Sequence, residues 1–411
     1  MKCRHCKAEV QQPFVDLGTS PPSNAYLTAA GLSSPEIYFP LRVLVCTVCW
    51  LVQTEDFTRA EELFKEDYAY FSSVSLSWLA HASAYVKMII ARLGLNEASL
   101  VMEIAANDGY LLRNFVAAGI PCLGIEPTES TAVAAEKLGI RMLREFFGAR
   151  LGNRLATQGE RADLIIGNNV YAHVPDINDF SAGLKAALKP GGVITLEFPH
   201  VMRLIEQAQF DTIYHEHFSY LSLHSVRNIF SSVGLRVWDV EELRTHGGSL
   251  RIYGCHADDG RGDTPELARL LAEETSRGLT DRATYQNFQV RADKVKNDLV
   301  RFLIDKKRDK KSVAAYGAAA KGNTLLNYAG VKPDLLPYVC DAAPSKQGKY
   351  LPGTRIPIFP PATLRERRPD YIIILPWNIA DEVIAQHGYA YNWGARFVVA
   401  VPEFLEISRV S

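Results

Sequence analysis

The sequence predicts an α/β protein in three parts: a small cysteine-bearing N-terminal module, a central domain with a parallel sheet, and a second domain of that type at the C terminus. Two Cys-x-x-Cys pairs lie within the first fifty residues. Apolar runs of strand length alternate with helical patterns in the middle of the chain, and the alternation resumes in the last third. Such alternation is typical of parallel sheets covered by helices. We therefore predict domains of residues 1–75, 76–250 and 251–411.

Length, charge and cysteine content limit the classes of protein that fit. A chain of 411 residues exceeds one ordinary domain, and its 47% of hydrophobic residues can fill packed cores. The formal net charge of -1 gives no reason to expect nucleic acid or an anionic membrane as a partner. No apolar run approaches the ~20 residues of a bilayer span, and Met1–Arg4 carries no signal-peptide core. We expect a cytoplasmic monomer.

The paired cysteines predict a zinc site. Cys3-x-x-Cys6 and Cys46-x-x-Cys49 can each place two thiolates on one side of a tetrahedral ion. The surrounding segment has few large apolar residues, so metal binding would supply folding free energy. Four thiolates leave no open position, and we predict structural Zn²⁺, with free cysteines or a catalytic zinc as the alternatives. His5 is an alternative ligand that we expect to be solvated instead.

An aromatic stretch, residues 64–73, precedes a predicted helix, Trp78–Leu93. Tyr68 and Tyr70 are two residues apart and would point the same way on a strand, where their hydroxyls could reach a ligand. Spacing alone favours the alternative, which is packing between domains.

The stretch Val101–Tyr110 is the centre of the predicted middle domain. An apolar strand meets a turn ending in Gly109 and then a helical pattern, a junction that lets a ligand approach backbone N–H groups. The next strand ends in Glu126, whose carboxylate could accept from ribose hydroxyls. A dinucleotide fingerprint would need glycines at Ala105, Asn107 and Tyr110, so NAD is disfavoured. The remaining alternative is an ordinary buried turn.

Further along this domain, a predicted strand, Ala162–Gly167, leads into Asn168 at the edge where an open α/β sheet binds ligands. A helix, a Lys-Pro-Gly-Gly turn at 189–192 and another strand follow.

A second dense stretch, residues 211–222, holds Tyr214, His215, Glu216 and His217. Two imidazoles, a carboxylate and phenols could support proton transfer near neutral pH. A metal site is the rival interpretation, but the two histidines lack the spacing of a zinc protease helix. A structural role for one of them is a further alternative.

In the last third, a predicted strand enters a run of small residues, 317–320, followed by Lys321 and Asn323 near a helix N-terminus. This arrangement suits a phosphate, although the Gly-Lys-Ser/Thr ending of a Walker loop is absent. Four predicted strands form a small sheet that repeats the organisation of the middle domain. The alternative is a scaffold that shapes the cleft without touching phosphate.

Several motifs together resemble a known family, the S-adenosylmethionine (SAM) dependent sugar C-methyltransferases that act on nucleotide-linked keto sugars. The acidic-Gly-x-Gly-x-Gly loop of Rossmann-like SAM methyltransferases has its counterpart at Glu103-x-Ala105-x-Asn107-x-Gly109, with only the last glycine kept. The family more often has Ser at Ala106. The other motifs that carry the resemblance are the four cysteines, Asp67–Ser73, Asn168–His173 and Tyr214–Tyr220.

The resemblance implies a Rossmann-like SAM domain in the middle and a second Rossmann-like domain helping to bind the nucleotide sugar. It implies deprotonation of a dTDP-linked 4-keto-deoxysugar beside its ketone, at C-3, and methylation of the enolate carbon. We assign the sugar site to His217 or Glu216 as base with Tyr214, His173 and Tyr68; the cofactor site to Glu103, Ala105, Asn107, Asp108, Gly109, Glu126 and Asn168; and further substrate contacts to Tyr70, Ser72, Lys321 and Asn323. The alternatives are a sugar O- or N-methyltransferase, or a zinc-containing scaffold with a vestigial SAM pocket.

Overall fold

The structure is a computed structural model in which residues 1–55 and 71–407 are described. Its framework is three sheets of four, seven and six strands, which confirms the predicted α/β class. The strands are β1 Gln12–Ser20, β2 Phe39–Val45, β3 Val52–Thr54, β4 Val101–Ile104, β5 Cys122–Ile125, β6 Arg141–Leu143, β7 Ala162–Asn168, β8 Leu188–Pro199, β9 Ser219–Tyr220, β10 Leu235–Leu243, β11 Ser249–His256, β12 Val313–Tyr316, β13 Val339–Cys340, β14 Ile358–Phe359, β15 Tyr371–Ile374, β16 Arg396–Val399 and β17 Leu405–Ile407. The α-helices are α1 Leu76–Leu93, α2 Leu112–Ala117, α3 Glu129–Glu136, α4 Ala149–Thr157, α5 Ile177–Ala187, α6 Val201–Glu206, α7 Leu223–Ser232, α8 Pro265–Ser276, α9 Arg282–Gln286, α10 Phe288–Arg308, α11 Ala320–Tyr328, α12 Ala362–Arg367 and α13 Ala380–His387.

The N-terminal sheet has the antiparallel order β1-β2-β3-β9. Its last strand, β9, comes from the middle of the chain. It pairs with β3, where Val52 lies opposite Tyr220 and Gln53 opposite Ser219. The backbone of the predicted site stretch is therefore hydrogen-bonded directly to the cysteine-bearing part of the protein.

The central sheet has the order β10-β11-β8-β7-β4-β5-β6, in which the run from β8 to β6 is parallel. All four residues of β4 are buried, as expected for a strand covered on both faces. Because β4 and β7 are parallel neighbours, their carboxyl ends lie side by side at one edge, where such sheets bind ligands.

The predicted helix Trp78–Leu93 is confirmed as α1. Ser75 is its N-cap, accepting from the backbone N–H of Trp78, and Gly94 ends it in the left-handed conformation with φ 63°. The helix buries Tyr85, Val86 and Ile89.

The predicted Lys-Pro-Gly-Gly turn lies inside β8 instead of before it. Ala162 pairs with Leu188 and Leu164 with Val193, so residues 189–192 bulge out of the ladder. Gly191 has φ 74°, which a residue with a side chain adopts only with strain. The turn chemistry was predicted correctly, but the strand continues through it.

The C-terminal sheet has the order β14-β13-β12-β15-β16-β17 and is parallel except for β17. The four predicted strands of this sheet are present. The short edge strands β14 and β17 were not predicted, and α11 begins at Ala320 rather than Leu325. Within the described part of the chain, no helix combines the length and apolar character needed to cross a membrane.

Candidate active site

The loop after β4 has an alternating backbone conformation. Ala105, Asn107 and Gly109 have φ of 56°, 49° and 76°. These are the positions at which a Gly-x-Gly-x-Gly loop has glycines, so the left-handed conformation is kept although two of the residues carry side chains. A left-handed residue with a side chain costs about 1–2 kcal/mol, and such strain concentrates at ligand-binding loops. A Cβ on Gly109 would lie 2.4 Å from the Cδ1 of Ile140, so this position requires glycine.

Glu126, at the end of β5, holds this loop. Its Oε2 accepts from the backbone N–H of Asn107 at 3.0 Å, and its Oε1 accepts from that of Thr128 at 2.9 Å. Burial raises the pKa of this carboxyl, while the backbone hydrogen bonds lower it. Each carboxylate oxygen has a second acceptor site, so the group can still accept from a ribose diol.

Buried polar atoms without partners surround the loop. The Oδ1 of Asp108 and the side-chain amide of Asn168 have no hydrogen-bond partner among the described residues, and the buried carboxyl of Glu103 has the Tyr110 hydroxyl as its partner. Burial, and then the charges of Asp108 and Glu126, raise the pKa of Glu103 well above its usual range. Buried polar groups are normally satisfied, so the unpartnered atoms of Asp108 and Asn168 fit a missing polar ligand. A bound cation would favour the ionised form of these carboxyl groups, and SAM carries a sulfonium and an ammonium.

A turn at residues 72–74 crosses the loop. The backbone N–H of Ser72 donates to the Oδ1 of Asn107 at 2.9 Å, and that of Ser73 donates to the Oδ2 of Asp108 at 3.1 Å. The predicted substrate residue Ser72 therefore also contacts the predicted cofactor loop. Tyr68 and Tyr70 lie outside the described residues.

The second predicted cluster assembles near the carboxyl end of β7. The ring of His217 lies 4.0 Å from that of Tyr214 and 4.6 Å from that of His173, between centroids. The Nδ1 of His217 lies 2.8 Å from the carbonyl oxygen of Thr212, and the Nδ1 of His173 lies 2.8 Å from that of Glu216. A carbonyl oxygen only accepts, so each Nδ1 carries the hydrogen and each Nε2 keeps a lone pair.

Burial changes the protonation behaviour of this cluster. It lowers the pKa of His173 to about 4, and burial followed by the charge of His173 lowers the pKa of His217 well below its usual range. Burial raises the pKa of Glu216 to about 7, against a hydrogen bond from Asn24 that lowers it. The two histidines are therefore neutral, and the carboxyl titrates near neutral pH.

The rival metal interpretation of this stretch has no support in the described residues. Among all the described residues, the group with metal-ligand geometry is the four paired cysteines. Their Sγ atoms all lie within 4.8 Å of one another. That arrangement fits tetrahedral zinc, with Zn–S bonds of about 2.3 Å. His215 instead lies against the N-terminal sheet, with its Nε2 3.2 Å from the carbonyl oxygen of Pro40. His5 is not part of the cysteine group; it is half-buried, and its Nδ1 lies 2.8 Å from the Oδ1 of Asn178.

The loop after β12 repeats one hydrogen-bond pattern of the first loop, in which an acid at the end of the next strand accepts from backbone N–H groups. Asp341, directly after β13, accepts from the N–H groups of Ala318 and Ala343 at 2.7 and 2.8 Å. Glu126 accepts in the same way from a residue of its loop, Asn107, and from the residue two positions after itself, Thr128. Lys321 lies in the first turn of α11, and its Nζ donates to the Oδ1 of Asn378 at 2.8 Å. Burial lowers the pKa of Lys321 to about 8, against the charge of Asp211.

Asn323 is fully buried in the same helix. Its Nδ2 donates to the carbonyl oxygen of Ser23 at 2.6 Å, and its Oδ1 has no partner among the described residues. This side chain thus ties the predicted phosphate loop to the N-terminal part of the protein.

Sequence reasoning missed several side chains of this region. The Nδ2 of Asn24 donates to the Oε1 of Glu216 at 3.1 Å, and Asn169 and His246 meet at 3.0 Å between Nδ2 and Nε2. The indole N–H of Trp377 donates to the Oδ2 of Asp211 at 2.7 Å. They come from distant parts of the chain, and only Asn169 stood beside a predicted residue, so sequence spacing gave no signal for the others.

Comparison with known proteins identifies the family of this chain. Family models match along the chain: a putative zinc binding domain over residues 3–64, a methyltransferase domain over residues 75–240 and a C-methyltransferase C-terminal domain over residues 244–402. The C-methyltransferase NovU of Streptomyces niveus is 36% identical over 413 aligned residues, which cover 100% of this chain and 97% of NovU. The chain belongs to the SAM-dependent C-methyltransferases. Its cofactors are SAM and a structural zinc ion, and the alternative of a scaffold without activity is excluded.

Two solved structures match part of the chain. Magnesium protoporphyrin IX methyltransferase from Synechocystis PCC 6803 is 14% identical and matches 43% of this chain and 82% of its own, with a TM-score of 0.35. A protein from Pyrococcus horikoshii OT3 is 12% identical and matches 49% of this chain and 100% of its own, with a TM-score of 0.38.

Proposed function

We propose that this enzyme removes the proton at C-3 of a dTDP-linked 4-keto-deoxysugar and methylates the resulting enolate carbon. Carbon beside a ketone becomes nucleophilic only after deprotonation, so the site needs a base and donors for the enolate oxygen. The observation that carries the proposal is the cluster around His217, in which the Nδ1 atoms of His173 and His217 each lie 2.8 Å from a carbonyl oxygen. The Nε2 lone pair of the buried His217 is thereby held in one cluster with His173, Tyr214 and Glu216.

We assign the base to His217, with Glu216 as second choice. His217 is 8% exposed and Glu216 only 1%, so the imidazole is the more accessible of the two. Burial alone makes His217 a weak base. A bound diphosphate and the ionised carboxylate of the neighbouring Glu216 would favour the imidazolium that proton transfer produces. A phenol is usually protonated, so Tyr214 suits donation to the enolate oxygen. We give His173 and Tyr68 the role of positioning the sugar.

The cofactor proposal follows from the first loop. SAM, when bound, supplies an electrophilic methyl group. We propose that Glu126 accepts from its ribose and that the loop Ala105–Gly109 places it, with Glu103, Asp108 and Asn168 as the surrounding polar groups. The unpartnered buried atoms of Asp108 and Asn168 support this assignment.

For the nucleotide we propose Lys321 and Asn323, with Tyr70 and Ser72 nearer the sugar. The N–H groups of Gly317, Ala318 and Ala319 already have protein acceptors. Those of the first turn of α11, with the Lys321 charge, are what remains for an anion in this loop. The division into residues 1–75, 76–250 and 251–411 is part of the proposal, and the ranges of the three family models support it. A cytoplasmic monomer stays our expectation.

The test is exchange of the acidic sugar hydrogen with deuterated water in the absence of methyl transfer. We expect His217→Asn to slow exchange by about 10²–10⁴-fold, and Glu216→Gln to slow it less, as removal of a general base does relative to a positioning group. Wild-type exchange by His217→Asn with a slow Glu216→Gln would reverse the assignment. If neither variant is slow, the base lies elsewhere.

A further inference from the structure

The connection between β1 and β2, residues 21–38, leaves the N-terminal sheet and runs into the candidate active site. The hairpin ladder ends where Ser20 pairs with Phe39. Within a few residues the connection touches three parts of the site. These contacts are Asn323 Nδ2 to the Ser23 carbonyl oxygen at 2.6 Å, Asn24 Nδ2 to Glu216 Oε1 at 3.1 Å, and the Tyr26 hydroxyl to the Ala318 carbonyl oxygen at 2.6 Å.

Ties to the C-terminal domain fix this connection further along. Leu27 and Tyr350 exchange backbone hydrogen bonds of 3.0 and 2.8 Å. Glu36 accepts from the backbone N–H of Gly353 at 2.7 Å and pairs with Arg355 at 3.0 Å. Asn24 is thus presented to Glu216 by a backbone held on both sides.

Glu216 depends on this contact for its orientation. Asn24 is the side-chain donor to its Oε1, and its buried Oε2 has no partner among the described residues. The titratable groups around it are His173, which meets its carbonyl oxygen, its chain neighbour His217 and Tyr220. In the described part of the chain, no lysine or arginine pairs with this carboxylate.

We propose that Asn24 is a positioning residue of this enzyme. It holds the Glu216 carboxyl in one orientation and leaves Oε2 available to contact the sugar substrate. The inference rests on the proposed function, in which Glu216 lines the sugar site. The zinc-binding part of the chain then contributes a side chain to the active site as well as folding free energy.

The hydrogen bond has a measurable consequence. An amide donor favours the ionised carboxylate, so its loss raises the pKa of Glu216 further. A hydrogen bond to a charged group corresponds to a shift of about one pKa unit or more. A carboxyl with a raised folded-state pKa loses stabilisation as pH rises through that value, and Asn24→Ala therefore loses more stability at high pH than the wild type.

The experiment compares urea unfolding of the wild type, Asn24→Ala, Glu216→Gln and the double variant between pH 5 and 9, without substrate. We expect Asn24→Ala to increase the unfolding equilibrium constant relative to the wild type about tenfold more at pH 9 than at pH 5. This extra pH dependence should vanish in the Glu216→Gln background. A loss that is uniform in pH, or that persists in that background, would show that Asn24 only packs.

Two further variants distinguish the positioning of Glu216 by Asn24 from a general role of the connection in contacting the C-terminal domain. Tyr38→Phe removes a hydrogen bond of the same connection, to the Gly353 carbonyl oxygen at 3.3 Å, and should keep the wild-type pH dependence. Asn24→Asp replaces the donor by a second acid, should shift the profile more than Asn24→Ala, and serves if the latter does not fold.

Activity then tests the role in the reaction. In Asn24→Ala the pH midpoint of sugar-hydrogen exchange should rise by about one unit, with a larger effect on kcat than on SAM affinity. An unchanged midpoint would overturn the positioning role. If the wild type itself exchanges no nucleotide-linked keto sugar, the proposed function fails, whereas the unfolding cycle still decides whether Asn24 controls Glu216.

Discussion

Burial sets the relative basicity of neighbouring residues in this site. An isolated imidazole is a better base at neutral pH than an isolated carboxylate, and the sequence alone favours His217 on that ground. In the folded protein burial lowers the pKa of His217 and raises that of Glu216 to about 7, so the usual order is inverted before substrate binds. The residue types could be predicted from sequence, but the shifts depend on a packed environment that spacing does not reveal.

The raised pKa of Glu216 makes the pH dependence of stability a direct test. Its ordinary pKa is 4.5 and its folded pKa is about 7. The stabilisation is fully present below pH 4.5, falls between these values, and is absent above pH 7. Glu216→Gln cannot ionise and can still accept from Asn24. We expect this variant to match the wild type near pH 5 and to exceed it by about 3 kcal/mol above pH 8, in urea unfolding. A difference that does not change with pH would contradict the raised pKa.

Glu126 provides a residue-level test of the cofactor site. Losing two hydrogen bonds to a charged acceptor implies that Glu126→Ala weakens SAM binding by about 2–4 kcal/mol, or roughly 30- to 900-fold, by calorimetry. Asp341→Ala is the matched control, since it removes the same pair of backbone contacts from the loop after β12. SAM affinity that is unchanged in Glu126→Ala, or equally weakened in Asp341→Ala, would place the cofactor elsewhere.

At the scale of elements, apolar runs and turn residues predicted β4, β5, β7 and β8 of the central sheet and four strands of the C-terminal sheet, whereas the long antiparallel strands β10 and β11 were not predicted. The bulged start of β8 and the short strands β9, β14 and β17 escaped prediction, because two or three residues carry no usable period and their pairing partners lie far away in sequence. Left-handed φ at Ala105 and Asn107 was equally hidden, since neither residue type demands it.

That loop gives an element-scale prediction. Glycine at position 105 removes the left-handed strain of a side chain but adds freedom to the unfolded chain, so Ala105→Gly should stabilise the protein by up to about 1 kcal/mol. Asn107→Gly should give no gain, because it also loses the hydrogen bond from the Ser72 N–H. Thermal unfolding of the two variants, with Gly109→Ala as a destabilised reference, checks this. Equal stabilisation by both glycines would mean that the Ser72 contact contributes nothing.

At the scale of the whole molecule, the zinc-binding part and the active site share one sheet. The hydroxyl of Thr54 in β3 donates to the carbonyl oxygen of His217 at 3.2 Å, and its N–H donates to that of Phe218 at 3.2 Å. The cysteines could be identified from sequence, but their continuity with β9 could not, because it pairs residues more than 160 positions apart. We therefore expect loss of structure in the cysteine cluster to disturb the sugar site more than the cofactor loop.

Removal of zinc tests this coupling. The purified protein should hold about one zinc per chain, and Cys46→Ser should lose it, since a structural site needs all four ligands. We expect methyl transfer to fall at least about tenfold, because a shift of about 1 Å in a positioned group can cost more than that. SAM affinity should stay within about threefold, since the loop Ala105–Gly109 is held by Glu126 from the central sheet. Cys122→Ser, outside the cluster, is the matched control and should keep both zinc and activity. A zinc-free protein that is folded and fully active would contradict the coupling, and so would a loss of SAM binding as large as the loss of methyl transfer.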